Sequence, residues 1–223
     1  MPQTSDAMIE VTGFEWVPPF ARGHVRDLRV RWALEEVGLD YRTRLISAVE
    51  RPEFYFGEQP YGQVPYYVEG DLHLFESGAI ALHIAEKGKG LLPRDPTGRA
   101  RAIMWLISAL NSIEQYVMNL VIIDIFSAGQ EWAKLRRPDA VAALEKRLGQ
   151  LSTALGDKDW LEGAFTVGDL IMVDVLRNLR DGQLTIPQNL AAYVARGMAR
   201  PAFQAALAAQ MADFLPDPKG DDA

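Results

Sequence analysis

Hydrophobic periodicity changes character once along this 223-residue chain, and the change falls at a proline-bounded segment, Leu91-Leu92-Pro93-Arg94-Asp95-Pro96. Before that segment, runs with the two-residue period of a strand alternate with runs of helical period; after it the runs are helical throughout. A chain so patterned has to bury its first part as a small α/β layer and its remainder as helix against helix. The expected division is 1–90 for an α/β domain, 91–97 for a linker and 98–223 for an all-helical domain.

Met8–Val17 is rich in β-branched and aromatic residues and reads as a strand. Val30, Ala33, Leu34 and Val37 mark one face of a helix that Gly38 stops. Tyr41, Thr43 and Leu45 alternate with Arg42 and Arg44, the pattern of a strand with one wet face. A polar segment through Pro52 and Pro60 follows, then Val64–Val68 and Leu72–Phe75, joined by Glu69-Gly70-Asp71 as a tight hairpin. A helix from Ser77 to Lys87, stopped by Gly88, closes the unit. Beyond the linker, Ile103, Leu106, Ile107, Leu110, Ile113 and Val117 form one apolar stripe, and Val141, Leu144, Leu148, Leu151 and Leu155 form another. A helix opening at Thr166 is expected to end near Asp181-Gly182, and a last one begins around Arg200-Pro201 and carries Phe203 and Leu207. The Asp-rich tail from Pro216 reads as disordered.

Hydrophobic residues make up 48% of the chain, enough for a sizeable core, while a net charge of −7 argues against a nucleic-acid surface, which needs Lys and Arg in concentrated excess. With no cysteine, a disulfide framework, a thiolate metal site and a protein thiol nucleophile are all excluded; reactive sulfur has to arrive on a ligand. Met1–Ala7 lacks the basic start and apolar stretch of a secretory signal. The most apolar run, Val117–Phe126, is broken by Asn119 and Asp124 and reads as too short to cross a bilayer. These features predict a cytoplasmic protein with neither membrane nor nucleic-acid partner.

Two segments carry chemistry. Gly62-Gln63-Val64-Pro65 is followed, eleven residues after Pro65, by Glu76-Ser77-Gly78-Ala79-Ile80. A Val-Pro bend holds out a backbone edge to which an extended ligand can add as a further strand. Amides opening a helix at Ser77 suit a carboxylate, and Glu76 beside them suits an ammonium group. Blander readings of the same residues stand beside these: Pro65 as an ordinary strand-edge proline, Ser77 as a helix cap, Glu76 as a solvated strand end.

With these motifs the chain resembles the cytosolic glutathione transferase family. Phe165-Thr166-Val167-Gly168-Asp169-Leu170 looks like that family's helix-start box, in which Thr166 and Asp169 satisfy each other's amides, and Met198-Ala199-Arg200-Pro201-Ala202-Phe203 looks like its terminal helix start. The order of these segments extends the likeness over nearly the whole chain. It implies an α/β plus all-α architecture, a thioredoxin-like N-terminal domain followed by a C-terminal helical bundle. It also implies a cis Val64-Pro65 bond, Val64 meeting the cysteinyl unit of glutathione with its backbone, Glu76 and Ser77 on the γ-glutamyl group, and Gln63 near the glycyl end. Further implications are glutathione as co-substrate, a small hydrophobic electrophile as second substrate, a role in detoxification, and a homodimer.

The family stabilises the glutathione thiolate with a Tyr, Ser or Cys in the turn between its first strand and first helix. The turn here, Trp16-Val17-Pro18-Pro19-Phe20-Ala21-Arg22-Gly23-His24-Val25-Arg26, contains none of them. Aligning Arg29-Val30-Arg31-Trp32-Ala33-Leu34-Glu35-Glu36 with the family's first helix puts His24 near the usual catalytic position, with Arg22 and Arg26 close by. A thiol of pKa about 8.5 becomes mainly thiolate at neutral pH where a site favours the anion by roughly 2–3 kcal/mol. Helix-start amides plus one cation can supply that; the alternative is a solvated basic turn that only attracts an anionic ligand. Trp16, Pro18, Pro19 and Phe20 read either as core or interface, or as an apolar wall for the electrophile together with Trp105 or Tyr116. His73 and His83 lack partners at metal spacing, so no metal site is expected, and Asp174 and Arg177 read as a structural pair. The expected function is transfer of glutathione, as its thiolate, to a small electrophile. The alternatives are a catalytically silent binding protein of the same fold and a glutathione-dependent peroxidase or isomerase.

Overall fold

The computed structural model describes Thr4, residues 6–179 and residues 184–216, and these fall into two compact units. The first unit lies within Met1–Leu91 and Arg200–Ala223, the second within Leu92–Ala199.

In the first unit, β1 (Ile9–Phe14), α1 (Asp27–Val37) and β2 (Tyr41–Ile46) are followed by a short helix α2 (Tyr55–Glu58), then β3 (Tyr66–Glu69), β4 (Leu72–Phe75) and α3 (Ser77–Lys87). The four strands form one sheet in the order β2-β1-β3-β4. β1 and β2 are parallel, which requires a crossover, and α1 supplies it. β3 runs antiparallel to β1, with Val11 opposite Tyr67, and β4 antiparallel to β3, with Tyr66 opposite Phe75. Gly70, at φ 58°, makes the expected hairpin between β3 and β4. This is the thioredoxin-like layer that the sequence implied. β1 is shorter than Met8–Val17, and α2 falls in the segment read as polar loop.

Sequence periodicity gave α1 a single apolar face, yet every residue from Asp27 to Leu34 is buried, including Arg29 and Arg31, each about 2% exposed or less. A helix buried all round needs a second layer. That layer is α9 (Pro201–Asp213), which packs on α1 through Trp32 and Phe203, edge to face at 4.9 Å, and through Arg200, which donates to both carboxylate oxygens of Glu36 at 2.5 and 2.7 Å. Residues 200–216 are therefore compact with the first unit, whereas the sequence division ran the helical domain from 98 to the end.

The second unit holds α4 (Pro96–Ser108), α5 (Gln115–Val121), α6 (Glu131–Leu155), α7 (Val167–Leu176) and α8 (Gln188–Met198). Wider π-type turns at Ala109–Glu114 and Ile122–Phe126 join α4 and α5 into one helix from Pro96 to Phe126. By length and composition alone that helix could cross a membrane, being a longer apolar element than the Val117–Phe126 run. Of the expected stripe, Leu106, Ile113 and Val117 are buried, Ile103 and Leu110 are half-buried and Ile107 is exposed; Ala102, Ala109 and Leu120 complete the buried side. In α6 the expected Leu144, Leu148, Leu151 and Leu155 are buried, and Val141 is half-buried. α8 is an addition to the expected elements. The helix opening at Thr166 ends at Leu176, short of the expected Asp181-Gly182, with Arg177 at its C-cap; Asp181-Gly182 and the tail beyond Pro216 lie outside the described residues.

α7 opens on a reciprocal cap. The Thr166 hydroxyl and backbone N–H both donate to Asp169 Oδ2 at 2.9 Å, while Leu161 N–H at 2.9 Å and the Tyr193 hydroxyl at 3.0 Å donate to Oδ1. One fully buried carboxylate thus gathers a loop and two helices. Asp174 and Arg177 form the expected pair at 2.8 Å.

Between the two capping residues sits Gly168, where a Cβ would meet Trp105 Cβ at 2.7 Å and the Ala102 carbonyl at 2.8 Å. Backbone cannot yield as a flexible side chain can, so Gly168→Ala should destabilise by about 1–3 kcal/mol, the usual cost of overpacking. A thermal melt within a degree of the parent would refute this close approach of α7 to α4.

Candidate functional site

Strand pairing brings the candidate segments to one end of the sheet. Because Val11 lies opposite Tyr67 in an antiparallel pair, the exit of β1 and the entry of β3 share an end, so the turn after Phe14 and the Val64-Pro65 loop are neighbours. Tyr66 opposite Phe75 carries the exit of β4, and with it the start of α3, to the same end. Side chains agree with this placement: Val25 from the turn and Phe14 pack against a buried cluster of Ile46, Tyr55, Val64 and Tyr66.

The Val64-Pro65 peptide bond is cis, as the resemblance implied. The β1–β3 ladder runs from Tyr67 to Glu69, so Val64 lies beyond it, with its side chain buried at 7% exposure. Gln63 is exposed, and its backbone is fastened on both sides. Tyr55 donates its hydroxyl to the Gln63 carbonyl at 2.7 Å, and the Gln63 N–H donates to Gln59 Oε1 at 3.1 Å. Burial raises the Tyr55 pKa, which keeps that hydroxyl a donor. Arg51 donates to the Gly62 carbonyl, closing the preceding turn, in which Gly62 takes φ 62° and leaves no room for a Cβ beside Phe56.

Glu76 and Ser77 sit at the start of α3 in unlike environments. Glu76 is exposed and, alone among the described non-glycine residues, has a positive φ, 70°. A non-glycine side chain held there costs on the order of 1–3 kcal/mol, and such positions gather at ligand sites. Ser77 is 5% exposed and accepts a hydrogen bond from Arg29 Nη1 at 3.2 Å. Guanidinium has donors and no acceptor, so Ser77 Oγ is committed as the acceptor and its own proton is directed elsewhere. Arg29 is the site residue that sequence reading missed. It lies inside the aligned Arg29–Glu36 run, but nothing in a helical repeat tells a buried arginine from a solvated one.

The turn between β1 and α1 contains a short helical turn at Pro19–Ala21 and then Gly23 at φ 77°. His24 is exposed, with its backbone N–H donated to the Ala21 carbonyl at 2.9 Å; Arg26 is half-exposed at the N-cap of α1. Arg22 donates from Nη2 to the Leu215 carbonyl at 3.0 Å and lies over the Phe214 ring at 5.8 Å. In the apolar part of the turn, Val17 is buried, Trp16 and Pro18 are half-buried, and Pro19 and Phe20 are exposed. Trp105 and Tyr116 belong to the second unit, where Trp105 Nε1 donates to Glu162 at 2.8 Å and Tyr116 accepts from Arg147 at 3.2 Å. His73 bonds the Tyr66 hydroxyl at 3.0 Å and His83 bonds Glu69 at 3.2 Å. Among the described residues no cluster of carboxylates and imidazoles is arranged to hold a metal ion.

This arrangement has counterparts. Residues 20–86 match the family model for the glutathione S-transferase N-terminal domain. Glutathione S-transferase PARB of Nicotiana tabacum is 30% identical over 155 residues, covering 64% of this chain and 72% of that one. The chain belongs to the glutathione S-transferase family. The Escherichia coli O157:H7 transferase GstA is 29% identical over 188 residues, 79% of this chain and 90% of its own. Among solved structures, a glutathione transferase from Burkholderia graminis, crystallised with two glutathione molecules per subunit, superposes with a TM-score of 0.77 at 27% identity, over 89% of this transferase and 87% of that chain.

The positive φ at Glu76 yields a test of the transferase site that needs no ligand. Glu76→Gly removes a side-chain penalty of about 1–3 kcal/mol and adds about 0.5–1 kcal/mol of unfolded-state entropy. The variant should melt at or above the parent temperature, whereas Glu76→Ala should not gain. A Glu76→Gly protein that melts several degrees lower would show that this backbone is not held under strain.

Proposed function

We propose that this transferase binds glutathione at the end of the sheet where Val64-Pro65, Glu76 and Ser77 converge, favours its thiolate, and directs that thiolate at a small electrophile by substitution or addition. The reading is supported above all by the Ser77 hydroxyl, backed by a buried guanidinium and oriented by it. An oriented hydroxyl together with the opening amides of an eleven-residue helix is a fitting receptor for the γ-glutamyl carboxylate. Glu76, exposed beside it, takes the γ-glutamyl ammonium group. The Val64 backbone, beyond the paired ladder, receives the cysteinyl unit as a strand addition, and Gln63 meets the glycyl end. His24 and its flanking arginines, Arg22 and Arg26, supply positive charge and donors at the turn where the thiolate forms. Binding sets the reacting sulfur in place, and the anion-favouring turn raises its nucleophilic fraction.

The second half of the reading is a homodimer acting in the cytoplasm with no membrane or nucleic-acid partner. Each unit carries exposed large apolar side chains: Phe54 at 61% and Tyr61 at 67% in the first, Phe126 at 63% and Leu135 at 73% in the second. Exposed aromatic and aliphatic side chains of this size fit a protein that covers them with a second copy. A monomer by light scattering at micromolar concentration would overturn this.

Glutathione titration by calorimetry, run beside turnover on haloarenes, enals and hydroperoxides, tests the activity. Binding with turnover of a haloarene or enal is the expected result, and binding without turnover on any of them makes the chain a silent binder. Ser77→Ala and Arg29→Met should each weaken glutathione by about 1–3 kcal/mol, the cost of leaving a charged ligand group short of an oriented donor. Unchanged affinity in both would remove the start of α3 from the site. His24→Ala should bind glutathione nearly as the parent does, with thiolate absorbance appearing at higher pH; an unmoved midpoint would dismiss His24.

A further inference from the structure

The segment that closes the first unit grips the β1–α1 turn at four places. Gln210 of α9 donates from Nε2 to the Val25 carbonyl at 3.1 Å and to Asp27 Oδ1 at 2.7 Å. Leu207 and Met211 lie against Gly23, where a Cβ would meet Leu207 Cδ1 at 3.2 Å. Past the end of the helix, the Leu215 N–H donates to the Glu15 carbonyl at 2.8 Å, and the Leu215 carbonyl accepts from Arg22. Asp213, two residues earlier, pairs with Arg31 of α1 at 2.7 Å, which fixes where the extended residues leave the helix. Glu15, Arg22, Gly23 and Val25 bracket the turn, so its backbone is held along its length from outside the α/β layer.

We propose that the end of α9 and the two residues after it form a clasp on the β1–α1 turn, with Arg22 as a positioning residue that holds His24 and the neighbouring backbone in the geometry that favours the glutathione thiolate. This rests on the reading of the site given above. Arg22 is suited to it by its bonding. Its Nη2 and ring stacking engage Leu215 and Phe214, and its Nε faces the Val17 carbonyl at 3.5 Å, so one guanidinium ties the two ends of the apolar turn to the closing segment. A planar fork with several donors does this where lysine would supply one point contact. A turn without hydroxyl or thiol gains from such support, since backbone amides and an imidazole stabilise an anion in proportion to how well they are pre-aimed. Gly23 fits the same account: its φ of 77° disfavours a side chain, and α9 lies close enough there that a Cβ would be in tight contact with Leu207.

The test uses the full-length chain with Leu215→Pro, which deletes the N–H given to Glu15, and with Arg22→Gln and Arg22→Lys. Three measurements are made on each: amide exchange over residues 16–24, the pH midpoint of the thiolate absorbance of bound glutathione, and steady-state kinetics. In Leu215→Pro and Arg22→Gln, exchange over 16–24 should rise about tenfold or more without ligand, while exchange in β1 and β3 stays at the parent rate. The thiolate midpoint should move up by roughly half to one pH unit and kcat should fall about tenfold, with KM for glutathione within twofold, because Val64, Glu76 and Ser77 belong to the entry of β3 and the start of α3 and not to the clasped turn. Arg22→Lys should fall between, and the double variant should be no worse than either single one, as for groups acting as one unit. Unchanged exchange in both variants would overturn the clasp. Faster exchange with an unmoved midpoint and kcat would overturn the positioning role of Arg22, and KM rising in step with the loss of kcat would make Arg22 a binding group instead. If the parent protein binds no glutathione, the functional reading fails, and the exchange measurement still decides the clasp.

Discussion

A buried carboxylate and a buried guanidinium one helical turn apart hold the first unit together. Asp27 and Arg31 meet at 2.8 Å with both side chains almost wholly out of water, and each reaches further: Asp27 to Gln210 and Arg31 to Asp213. Two charges so deeply placed cost several kcal/mol to desolvate, and removing either partner alone costs about 3–5 kcal/mol because the other is left uncompensated. The pair is therefore better understood through what it specifies than through what it adds to stability. It fixes α9 on α1, and it packs closely on Gly13 of β1, where a Cβ would lie 3.1 Å from Arg31 and 3.2 Å from Asp27. Sheet, first helix and last helix are registered at one point, immediately beside the turn that faces the candidate site.

The site inherits its geometry from that registration and from strand pairing. The exit of β1, the entry of β3 and the start of α3 meet at one end of the sheet because β3 is antiparallel to β1 and β4 to β3. Arg29, two residues along α1 from Asp27, then reaches Ser77 at the start of α3. The same helix thus serves the closing segment with one arginine and the start of α3 with the other. Glu76 contributes in the opposite manner, as a residue in an unfavourable backbone region that the surrounding fold has to hold.

The second unit solves a similar problem with a neutral donor set. Asp169 accepts from two backbone N–H groups and two hydroxyls, so a single carboxylate caps α7, fastens the loop before it and ties in α8. Gly168 and Gly197 allow α7 to approach its neighbours without a side chain between, the one against Trp105 and the other against Val173. A helix entirely buried along its length, as α7 is, needs such close approaches on more than one side.

Much of this was legible in the sequence, because it depends on local rules. The Gly70 hairpin and the Thr166–Asp169 box are each written within a few residues and fold as read, and the period-two and helical runs form strands and helices, but which side of each is buried is not always the side read: Leu45 is 36% and Ile107 49% exposed. The Val64-Pro65 and Glu76-Ser77 motifs were recognisable by their order, and the family membership they implied holds. What sequence alone could not settle was which polar residues leave water. Arg29 and Arg31 sit at helical spacing indistinguishable from a solvated face, and only packing of α9 on α1 and of α3 beside it buries them. Gln210, Asp213 and Arg22 are nearly two hundred residues apart along the chain at the extreme, and no local pattern links them. The sequence by itself determined most of the elements, their order and the family to which the Val64-Pro65 and Glu76-Ser77 motifs belong, but not α2 or α8. The tertiary structure decided that the last helix belongs with the first unit and that the β1–α1 turn is held by it, since burial of charge depends on partners that only the folded chain brings within hydrogen-bonding distance.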